Sequence, residues 1–415
     1  MSLKVRSMLV LVIGTVLGLT VSIGSSMLAQ RAAPVAVDDR DRPVEDEYLA
    51  VLAEAIQRVR REYVDQVDDR TLVENAIKGM LDGLDQHSRY LDAEQYEDIR
   101  IATTGNYSGV GLDVGLRNGR VTVLAPHAGA PAARAGILAG DVVVSVDGVP
   151  VDEEDLQAAV SLMRGEPGTE VRLGVSRGPS EELVSYSLTR AAIHVNTVQT
   201  EYLAGGYGYI RLSQFSESTL EELAAAANAL TGVSERELAG VVLDLRNNPG
   251  GVLQAAIGVA DAFLEDGLIV RGNGRIRQSR FEQYARPGGA FESVPLVVLI
   301  NAASASGSEI VAGALKDHGR ARLIGERSYG KGSVQSVVPL GEGSALKLTT
   351  AHYLTPSGVT INGRGIEPDV VVEFGADPGD QYRGPGSEVE IADDLQLSRA
   401  LASLGYEAIA LSQAQ

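Results

Sequence analysis

The sequence predicts a multidomain α/β protein, and three features support this. Residues 191–374 alternate apolar strand-like runs with Ala/Leu-rich helical runs, the pattern of an α/β core. Residues 104–190 contain short β-rich runs separated by Gly, Pro and Asp turns, and residues 45–103 show apolar side chains at helical spacing. The chain has 415 residues, whereas single cores usually stop growing at about 250–300 residues. We therefore expect an α/β core preceded by a β-rich domain and a helical region.

Composition excludes several classes of function. The net charge is −19 and the sequence has no basic stripe, so we expect no nucleic-acid partner. There is no cysteine, which rules out disulfides and thiol catalysis. The five histidines form no H-E-x-x-H pattern, and we predict no metal and no other cofactor.

The N-terminus predicts export from the cytoplasm. Lys4 and Arg6 precede residues 7–30, which carry no charged side chain and are long enough to span a bilayer. We interpret residues 1–30 as an uncleaved signal anchor, with a cleaved signal peptide as the alternative. An Ala/Pro/Asp-rich linker follows at 31–44. The body is expected on the periplasmic side of the inner membrane, or free in the periplasm.

Residues 45–103 are predicted to be helical. Apolar residues recur every three or four positions, first at Leu49, Leu52, Ile56, Val59 and Tyr63, then at Leu72, Ala76 and Met80. These stripes fit helices that pack on the body of the protein, and the alternative is a dedicated surface for a partner.

The β-rich domain, predicted at 104–190, carries a candidate peptide-binding loop. Strands are predicted at 110–114, 120–124, 141–146 and 171–175, and helices at 130–136 and 152–164. The region resembles a PDZ domain, above all in Ala135-Gly-Ile-Leu-Ala-Gly-Asp-Val-Val-Val-Ser-Val-Asp-Gly148, and the resemblance places Ser108-Gly109-Val110-Gly111-Leu112 at the carboxylate-binding loop. Its glycines would leave backbone N–H groups free for a terminal carboxylate, although most such glycine pairs are ordinary turns. An adjoining strand edge would pair with an extended peptide.

The core, predicted at 191–374, contains a candidate oxyanion site. A buried strand at 238–246 runs into Asn247-Asn-Pro-Gly-Gly251, and a helix is predicted to follow at 252–264. A strand–turn–helix unit with paired glycines presents backbone N–H groups to an oxyanion. We assign this role to Gly250 or Gly251 together with Gly307, although an ordinary Pro-Gly-Gly turn would explain the same residues.

Ser306 and Lys331 form the candidate catalytic pair. Ser306 opens a helical run, and Lys331 lies 25 residues later between two glycines. A serine nucleophile needs a base, and a lysine serves as one only when burial keeps it neutral. Gln335 could orient the lysine. Each residue alone has a structural explanation: Ser306 fits an S-x-x-E capping box, and Lys331 could be a solvated loop lysine.

A Ser-His-Asp triad built from His318 with Asp317 or Asp244 is disfavoured. His318 would lie roughly 18 Å along the helix from the serine, by helix rise.

Several segments resemble the C-terminal processing peptidases, also called tail-specific serine proteases. The segments are Val297-Val-Leu-Ile-Asn301, Ser304-Ala-Ser-Gly-Ser-Glu309, Gly325-Glu-Arg-Ser-Tyr-Gly-Lys-Gly-Ser-Val-Gln335 and Val242-Leu-Asp-Leu-Arg-Asn-Asn-Pro-Gly-Gly251. The resemblance implies a Ser–Lys pair with a glutamine four residues after the lysine, which here are Ser306, Lys331 and Gln335. It also implies a crotonase-like ββα spiral core, an inserted domain similar to PDZ domains at 104–190, and self-association through the N-terminal helices.

Two positions depart from the family pattern. The family usually has alanine at Gly307 and proline at Gln86. Gly307 still supplies an N–H donor, and the change at Gln86 affects only a local turn.

The C-terminal region, residues 375–415, is predicted to be a Gly/Pro/Asp-rich linker at 375–387 followed by a final amphipathic helix. The helix would carry Ile391, Leu395, Leu401 and Leu404, and we expect it to pack on a subunit.

Together these features predict a serine endopeptidase that binds the unstructured C-terminal tails of exported proteins through its β-rich domain. We expect a homo-oligomer that contacts the membrane through its N-terminal segment. Two alternatives remain at this stage. One is a non-catalytic PDZ scaffold on a protease-like fold. The other is a crotonase-like acyl-transfer enzyme, which the predicted export signal disfavours.

Overall fold

The computed structural model describes residues 44–151, 155–178, 180–233, 238–373 and 394–406. The chain divides into two compact units, Met1–Gly79 and Met80–Gln415. The predicted signal at 1–30, nearly all of the linker at 31–44 and the linker at 375–387 lie outside the described residues. Within the described ranges, no helix has both the length and the apolar character needed to cross a bilayer.

The first unit contains helix α1, Asp46–Glu62, and the start of α2, Asp69–Asp82. Acidic residues occupy the first turn of α1 and Arg60 and Arg61 the last, which complements the helix dipole. No residue of α1 is buried, and Leu49 and Leu52 of the predicted stripe are exposed. The predicted helix is confirmed.

The β-rich domain in the second unit is built on one antiparallel sheet in the order β3-β4-β5-β7-β8, with β6 paired to β5. Its strands are β3 Leu112–Arg117, β4 Arg120–Pro126, β5 Val142–Val146, β6 Val149–Pro150, β7 Glu170–Arg177 and β8 Glu182–Thr189. Two helices pack with it: α4 Pro131–Ala135 and α5 Leu156–Met163. Because β3 ends the sheet, one of its edges is available for pairing with an extended peptide.

Short elements join this domain to the core. They are β1 Arg89–Leu91, α3 Ala93–Thr104, β2 Asn106–Gly109 and β9 Ala191–His194, with β2 paired to β9. Helix α3 contacts α5 near both of its ends. At the C-terminal end, Arg164 Nη1 lies 2.5 Å from a carboxylate oxygen of Asp98, and near the N-terminal end, Gln157 donates to Asp98 and Glu94.

The core is a six-stranded sheet in the order β10-β11-β12-β15-β16-β19, parallel from β11 onward. The strands are β10 Val198–Leu203, β11 Tyr207–Leu212, β12 Gly240–Asp244, β15 Leu296–Ile300, β16 Arg322–Gly325 and β19 Val370–Val371. The helices are α6 Thr219–Val233, α7 Leu253–Asp261, α8 Gly307–Asp317 and α9 Leu395–Ser403.

Both faces of this sheet are buried. One face packs with residues of α6, α7 and α8, while alternate residues of the same strands pack with Leu397, Ala400 and Leu401 of α9. Parallel strands covered on both faces are expected to read as continuous apolar runs, as β12 and β15 do. The core is therefore a three-layer structure in which the last described helix forms the third layer.

A second sheet brings the lysine-bearing segment to the core. It has the order β1-β18-β13-β14, with β17 also paired to β18. Its remaining strands are β13 Leu268–Gly274, β14 Phe281–Tyr284, β17 Ser333–Pro339 and β18 Ala345–Leu354. Single 3-10 turns occur at Arg277–Ser279 and Gly341–Gly343.

A buried ion-pair network fixes α9 to the end of β12. The guanidinium of Arg246 contacts Asp244 at 2.6 Å and Asp394 at 2.8 Å, and it also donates to Gln396. Asp394 additionally caps α9 by accepting from the N–H of Leu397. Burial opposes charge on Asp244, yet the cation beside it holds the pKa of Asp244 below its usual value.

We expect Asp394→Ala to lower the free energy of unfolding by about 2–3 kcal/mol, since it removes one partner of a buried cation together with a helix cap. Asp394→Asn keeps the cap and should cost less. Asp92, which caps α3 through Gln95, provides the matched control, because Asp92→Ala removes a cap alone. Urea unfolding followed by circular dichroism measures all three. A midpoint for Asp394→Ala equal to that of Asp92→Ala would show that the ion pair contributes nothing.

Candidate active site

Ser306 lies at the junction between β15 and α8, in an unusual backbone conformation. Its φ is +53°, a region that residues other than glycine seldom occupy. Such strain is typical of functional sites, where the surrounding structure enforces it. Ser306 is partly exposed, and it takes part in a capping box with Glu309 at the start of α8. The hydroxyl is thus accessible and presented at a helix N-terminus.

The segment that follows β12 is tied to the loop that leads into Ser306. The carbonyl oxygen of Asn248 accepts from Ala305 N at 2.9 Å and from Ser308 Oγ at 2.9 Å. The side chains of Asn247 and Asn301 are joined at 2.8 Å. Since both loops follow adjacent parallel strands, these bonds fix the glycine turn against the serine.

The glycine turn makes a close approach that only glycine permits. A Cβ on Gly250 would lie 2.7 Å from Ser306 Cβ and 2.9 Å from Gly307 N. The N–H of Gly250 donates to Asn248 Oδ1 at 2.9 Å. Within the described structure, the N–H groups of Gly251 and Gly307 have no protein acceptor. Of the predicted oxyanion donors, the geometry therefore favours Gly251 with Gly307.

The departure at Gly307 has a packing explanation. A Cβ at this position would lie 2.9 Å from Cδ2 of Phe215 and 3.2 Å from Ala256 Cβ. Phe215 is fully buried. Its ring fills the space that the methyl group of an alanine would need. An alanine at position 307 would therefore require the ring of Phe215 to move.

Glu309 joins the nucleophile segment to the lysine segment. Its Oε2 accepts from Ser306 N and from Lys331 N, each at 2.8 Å. Its Oε1 accepts from Gly330 N and from Ser328 Oγ, each at 2.6 Å. Burial raises the pKa of Glu309, and these hydrogen bonds oppose the shift. One buried carboxylate thus fixes the backbones of both candidate catalytic residues.

The S-x-x-E pattern indicated only part of this arrangement. The carboxylate half of the capping box is present, because Glu309 accepts from the N–H of Ser306. The contacts of Glu309 with Gly330 and Lys331 were not predicted. The S-x-x-E pattern predicts a contact of Glu309 within its own helix. It does not predict the contact with Lys331, which lies 22 residues further along the chain.

Lys331 lies at the entrance to β17 and is half-buried. Burial lowers its pKa, the positive charge of Arg89 lowers it further, and the negative charge of Glu309 opposes both effects. The ammonium nitrogen makes no hydrogen bond within the described residues. A lysine with a depressed pKa in a partly desolvated site is suited to act as a base.

Gln335 lies on β17, two residues after Ser333. Its Nε2 donates to Ser333 Oγ and to Thr349 Oγ1, each at 3.0 Å. It makes no hydrogen bond with Lys331 in the described structure, so the predicted orienting role stays a prediction.

The residues of the alternative triad are engaged elsewhere. The ring of His318 contacts the carbonyl oxygen of Leu268 at 2.7 Å, and Asp317 accepts from Ser357 N at 2.9 Å. Asp244 pairs with Arg246. None of these contacts involves Ser306, which supports the exclusion of a triad.

The predicted peptide-binding loop borders a cavity in the β-rich domain. The cavity, of about 410 Å³, lies between the start of β3 and helix α5. Its lining includes Gly109, Val110, Gly111 and Leu112 of the predicted set, whereas Ser108 lies outside it. Val160, Met163 and Arg164 form the opposite wall. The groove has an apolar floor, a strand edge and a glycine loop.

We expect Glu309→Gln to reduce labelling of Ser306 by a fluorophosphonate probe at least ~100-fold, because misplacing catalytic groups by about 1 Å has costs of this size. The amide offers one acceptor oxygen where the carboxylate serves four donors. The exposed Glu217 provides the control, and Glu217→Gln should label normally. Normal labelling of a folded Glu309→Gln protein would contradict the positioning role.

Comparisons with known proteins agree with this architecture. The family profile of peptidase family S41 matches residues 206–372, a PDZ-domain profile matches 122–177, and a profile for the N-terminal domain of the activating protease CtpB matches 11–95. A Bacteroides fragilis protein assigned to the S41 proteases shares the fold at 16% identity, with a TM-score of 0.50, over 84% of this chain and 96% of that chain. The predicted fold class, an α/β protease core with an inserted PDZ domain, is confirmed.

Relatives of higher identity are carboxy-terminal-processing proteases. The protein of that name from Bartonella bacilliformis is 46% identical over 326 residues, which cover 78% of this chain and 75% of the relative. The carboxyl-terminal-processing protease of Synechocystis is 39% identical over 76% of this chain and 74% of the relative. With a serine at the start of α8 and a PDZ domain ahead of the core, this chain belongs to the carboxy-terminal-processing proteases, serine-type peptidases of family S41.

Proposed function

We propose that the protein is a Ser–Lys endopeptidase in which Ser306 is the nucleophile and Lys331 is the general base. The observation that carries this proposal is the carboxylate of Glu309, which accepts from the backbone N–H of both residues at 2.8 Å. The backbones of two residues that are 25 positions apart in the sequence are thereby held beside the same carboxylate oxygen. The lowered pKa of Lys331 supports its role as the base.

The chemistry follows from these positions. Ser306 Oγ attacks the scissile carbonyl carbon while the neutral amine of Lys331 takes the hydroxyl proton. The N–H groups of Gly251 and Gly307 stabilise the negative oxygen of the tetrahedral intermediate. Lys331 then donates its proton to the leaving amine, and water hydrolyses the acyl-enzyme. Gln335 would hold the lysine during these transfers.

The proposed substrates are exported proteins with unstructured C-terminal tails. The apolar groove beside Gly111, with the free edge of β3 next to it, suits an extended peptide that ends in a carboxylate. The names of the relatives also indicate carboxy-terminal processing. Export of the enzyme itself rests on residues 1–30, which would anchor it at the periplasmic face of the inner membrane or direct it to the periplasm. The exposed apolar residues of α1 support self-association.

We expect Ser306→Ala and Lys331→Ala each to abolish peptide cleavage in a folded protein, and the double variant to be no worse than either single variant. The wild-type rate should rise with pH, because only the neutral form of Lys331 accepts a proton. The midpoint of that rise should lie below the ordinary lysine pKa of about 10.4, since burial lowers it. Near-native turnover by Lys331→Ala at neutral pH would exclude the lysine as the base.

We expect amidation of the C-terminus of a substrate peptide to raise KM about tenfold and to leave kcat little changed, because the charge-assisted bonds of the glycine loop are lost. Val160→Glu, which places a carboxylate in the groove, should have a similar effect on free-acid peptides. Leu162 lies on the exposed side of the same helix, so Leu162→Glu is the control. Equal KM values for free and amidated peptides would contradict tail recognition by this groove.

A further inference from the structure

A group of cations lies beside the candidate base. Arg89 on β1 and Lys347 on β18 are directly opposite each other in an antiparallel pair. Burial lowers the pKa of Lys347 to about 8, and the positive charges of Lys331 and Arg89 contribute to the shift. The charge of Arg89 also acts on Lys331. We refer to Arg89, Lys331 and Lys347 as the cation cluster.

No carboxylate of the described chain forms an ion pair with the cation cluster. The side chains of Arg89, Lys331 and Lys347 have no hydrogen-bond partner there either. Like charges directly opposite in a sheet are destabilising, and here Arg89 is exposed while Lys347 is half-buried. The chain carries 55 acidic residues against 36 lysines and arginines, which makes a group of unpaired cations more unusual.

The carboxylates of Asp85 and Glu309 lie near the cluster, but their oxygens already accept hydrogen bonds from other groups. Asp85 accepts from His87 N, Ser88 N, Ser88 Oγ and Thr349 Oγ1. Glu309 accepts from Ser306 N, Ser328 Oγ, Gly330 N and Lys331 N, as described above. Burial and the charges of Lys331 and Lys347 lower the pKa of His87, which favours its neutral form, and a histidine cannot supply the negative charge that would balance the cluster. The cation cluster therefore keeps a positive potential.

The cation cluster continues a polar strip that begins at the catalytic lysine. Gln335 pairs with Thr349 across β17 and β18, and Lys347 lies two residues from Thr349. Residues that are opposite across a sheet, or two apart along a strand, share a face. Gln335, Thr349, Lys347 and Arg89 therefore line one face of the sheet, next to Lys331.

We propose that Arg89 and Lys347 form a subsite that binds a carboxylate of the substrate close to the scissile bond. This inference rests on the proposed function, and it adds a substrate preference: peptides with an anionic group at one fixed distance from the cut. The half-buried Lys347 and the exposed Arg89 can both form charge-assisted hydrogen bonds with a carboxylate. The carboxylate is supplied either by an Asp or Glu side chain or by the free C-terminus of a short tail.

Occupation of the subsite would change the base as well. Without substrate, the charge of Arg89 favours the neutral amine of Lys331. A bound carboxylate would oppose this effect, and Asp85, His87 and Glu309 are the other titratable groups that face the cluster. Acidic peptides should therefore show a lower KM than neutral peptides, together with a pH–kcat profile whose acidic limb lies at higher pH.

The first test uses one cleavable peptide sequence with Glu or Gln at successive positions around the cut. Each peptide is made with a free or an amidated C-terminus. We expect kcat/KM to rise about tenfold at one position when a carboxylate is present, the size expected for a partly desolvated ion pair. A rise with the Glu side chain in amidated peptides identifies the side chain as the source. A rise only with the free C-terminus identifies the terminal carboxylate. Equal rates at every position would overturn the proposal.

The second test compares variants by the ratio of kcat/KM for acidic and neutral peptides, in which changes to the pKa of Lys331 in the free enzyme cancel. Lys347→Met and Arg89→Gln should bring the ratio close to one, and Lys347→Arg should preserve it. The exposed Arg322 on β16 provides a matched control, so Arg322→Gln should leave the ratio unchanged. A ratio that survives both Lys347→Met and Arg89→Gln would overturn the proposal.

A binding measurement separates this inference from the proposed function. The Ser306→Ala protein cannot form an acyl-enzyme, but it retains the cation cluster. Fluorescence anisotropy should show tighter binding of the acidic peptide than of its neutral partner, and adding Lys347→Met should remove the difference. If wild-type protein cuts neither peptide while this difference persists, the protease assignment fails and the subsite stands. Equal binding of both peptides overturns the subsite, whatever the turnover.

Discussion

The active site depends on one buried carboxylate. Glu309 has no charged partner in direct contact, and its two oxygens are instead satisfied by three backbone N–H groups and one hydroxyl. A carboxylate held in this way is costly to bury and strongly directional. It holds the backbone N–H groups of Ser306 and Lys331, the candidate catalytic residues, beside the same oxygen.

The core supports this carboxylate from both faces of its sheet. On one face, α8 is almost wholly buried and carries Ser306 and Glu309 at its first turn. On the other face, α9 packs against alternate residues of the same strands and is bound to Arg246. Arg246 immediately precedes Asn247, the first residue of the glycine turn. A shift of α9 that moved Arg246 would therefore also move the glycine turn, which follows Arg246 directly in the chain and carries the candidate oxyanion donor Gly251.

Sequence analysis predicted the strand–turn–helix units and the catalytic candidates because those features are local. The run at 238–246 reads as a buried strand, and the Ser306 and Lys331 segments carry distinctive motifs. The contacts of Glu309 with the lysine loop, and of Asp394 with Arg246, join residues far apart in sequence, and no local pattern encodes them. Arg89 lies opposite Lys347 because of the register between two strands that are more than 250 residues apart in the sequence, and this register cannot be deduced from either segment alone. The reason for Gly307 likewise appears only when Phe215 is seen beside it.

The position of α9 has a consequence for the protein's resistance to its own activity. Proteolysis requires an extended, accessible segment. Leu397, Ala400 and Leu401 are fully buried in the third layer of the core. Cleavage within this helix would require local unfolding that also breaks the contacts of Arg246, so the free energy of opening α9 limits cleavage at this helix. The enzyme is thereby protected at its own C-terminal helix by the same packing that completes its fold.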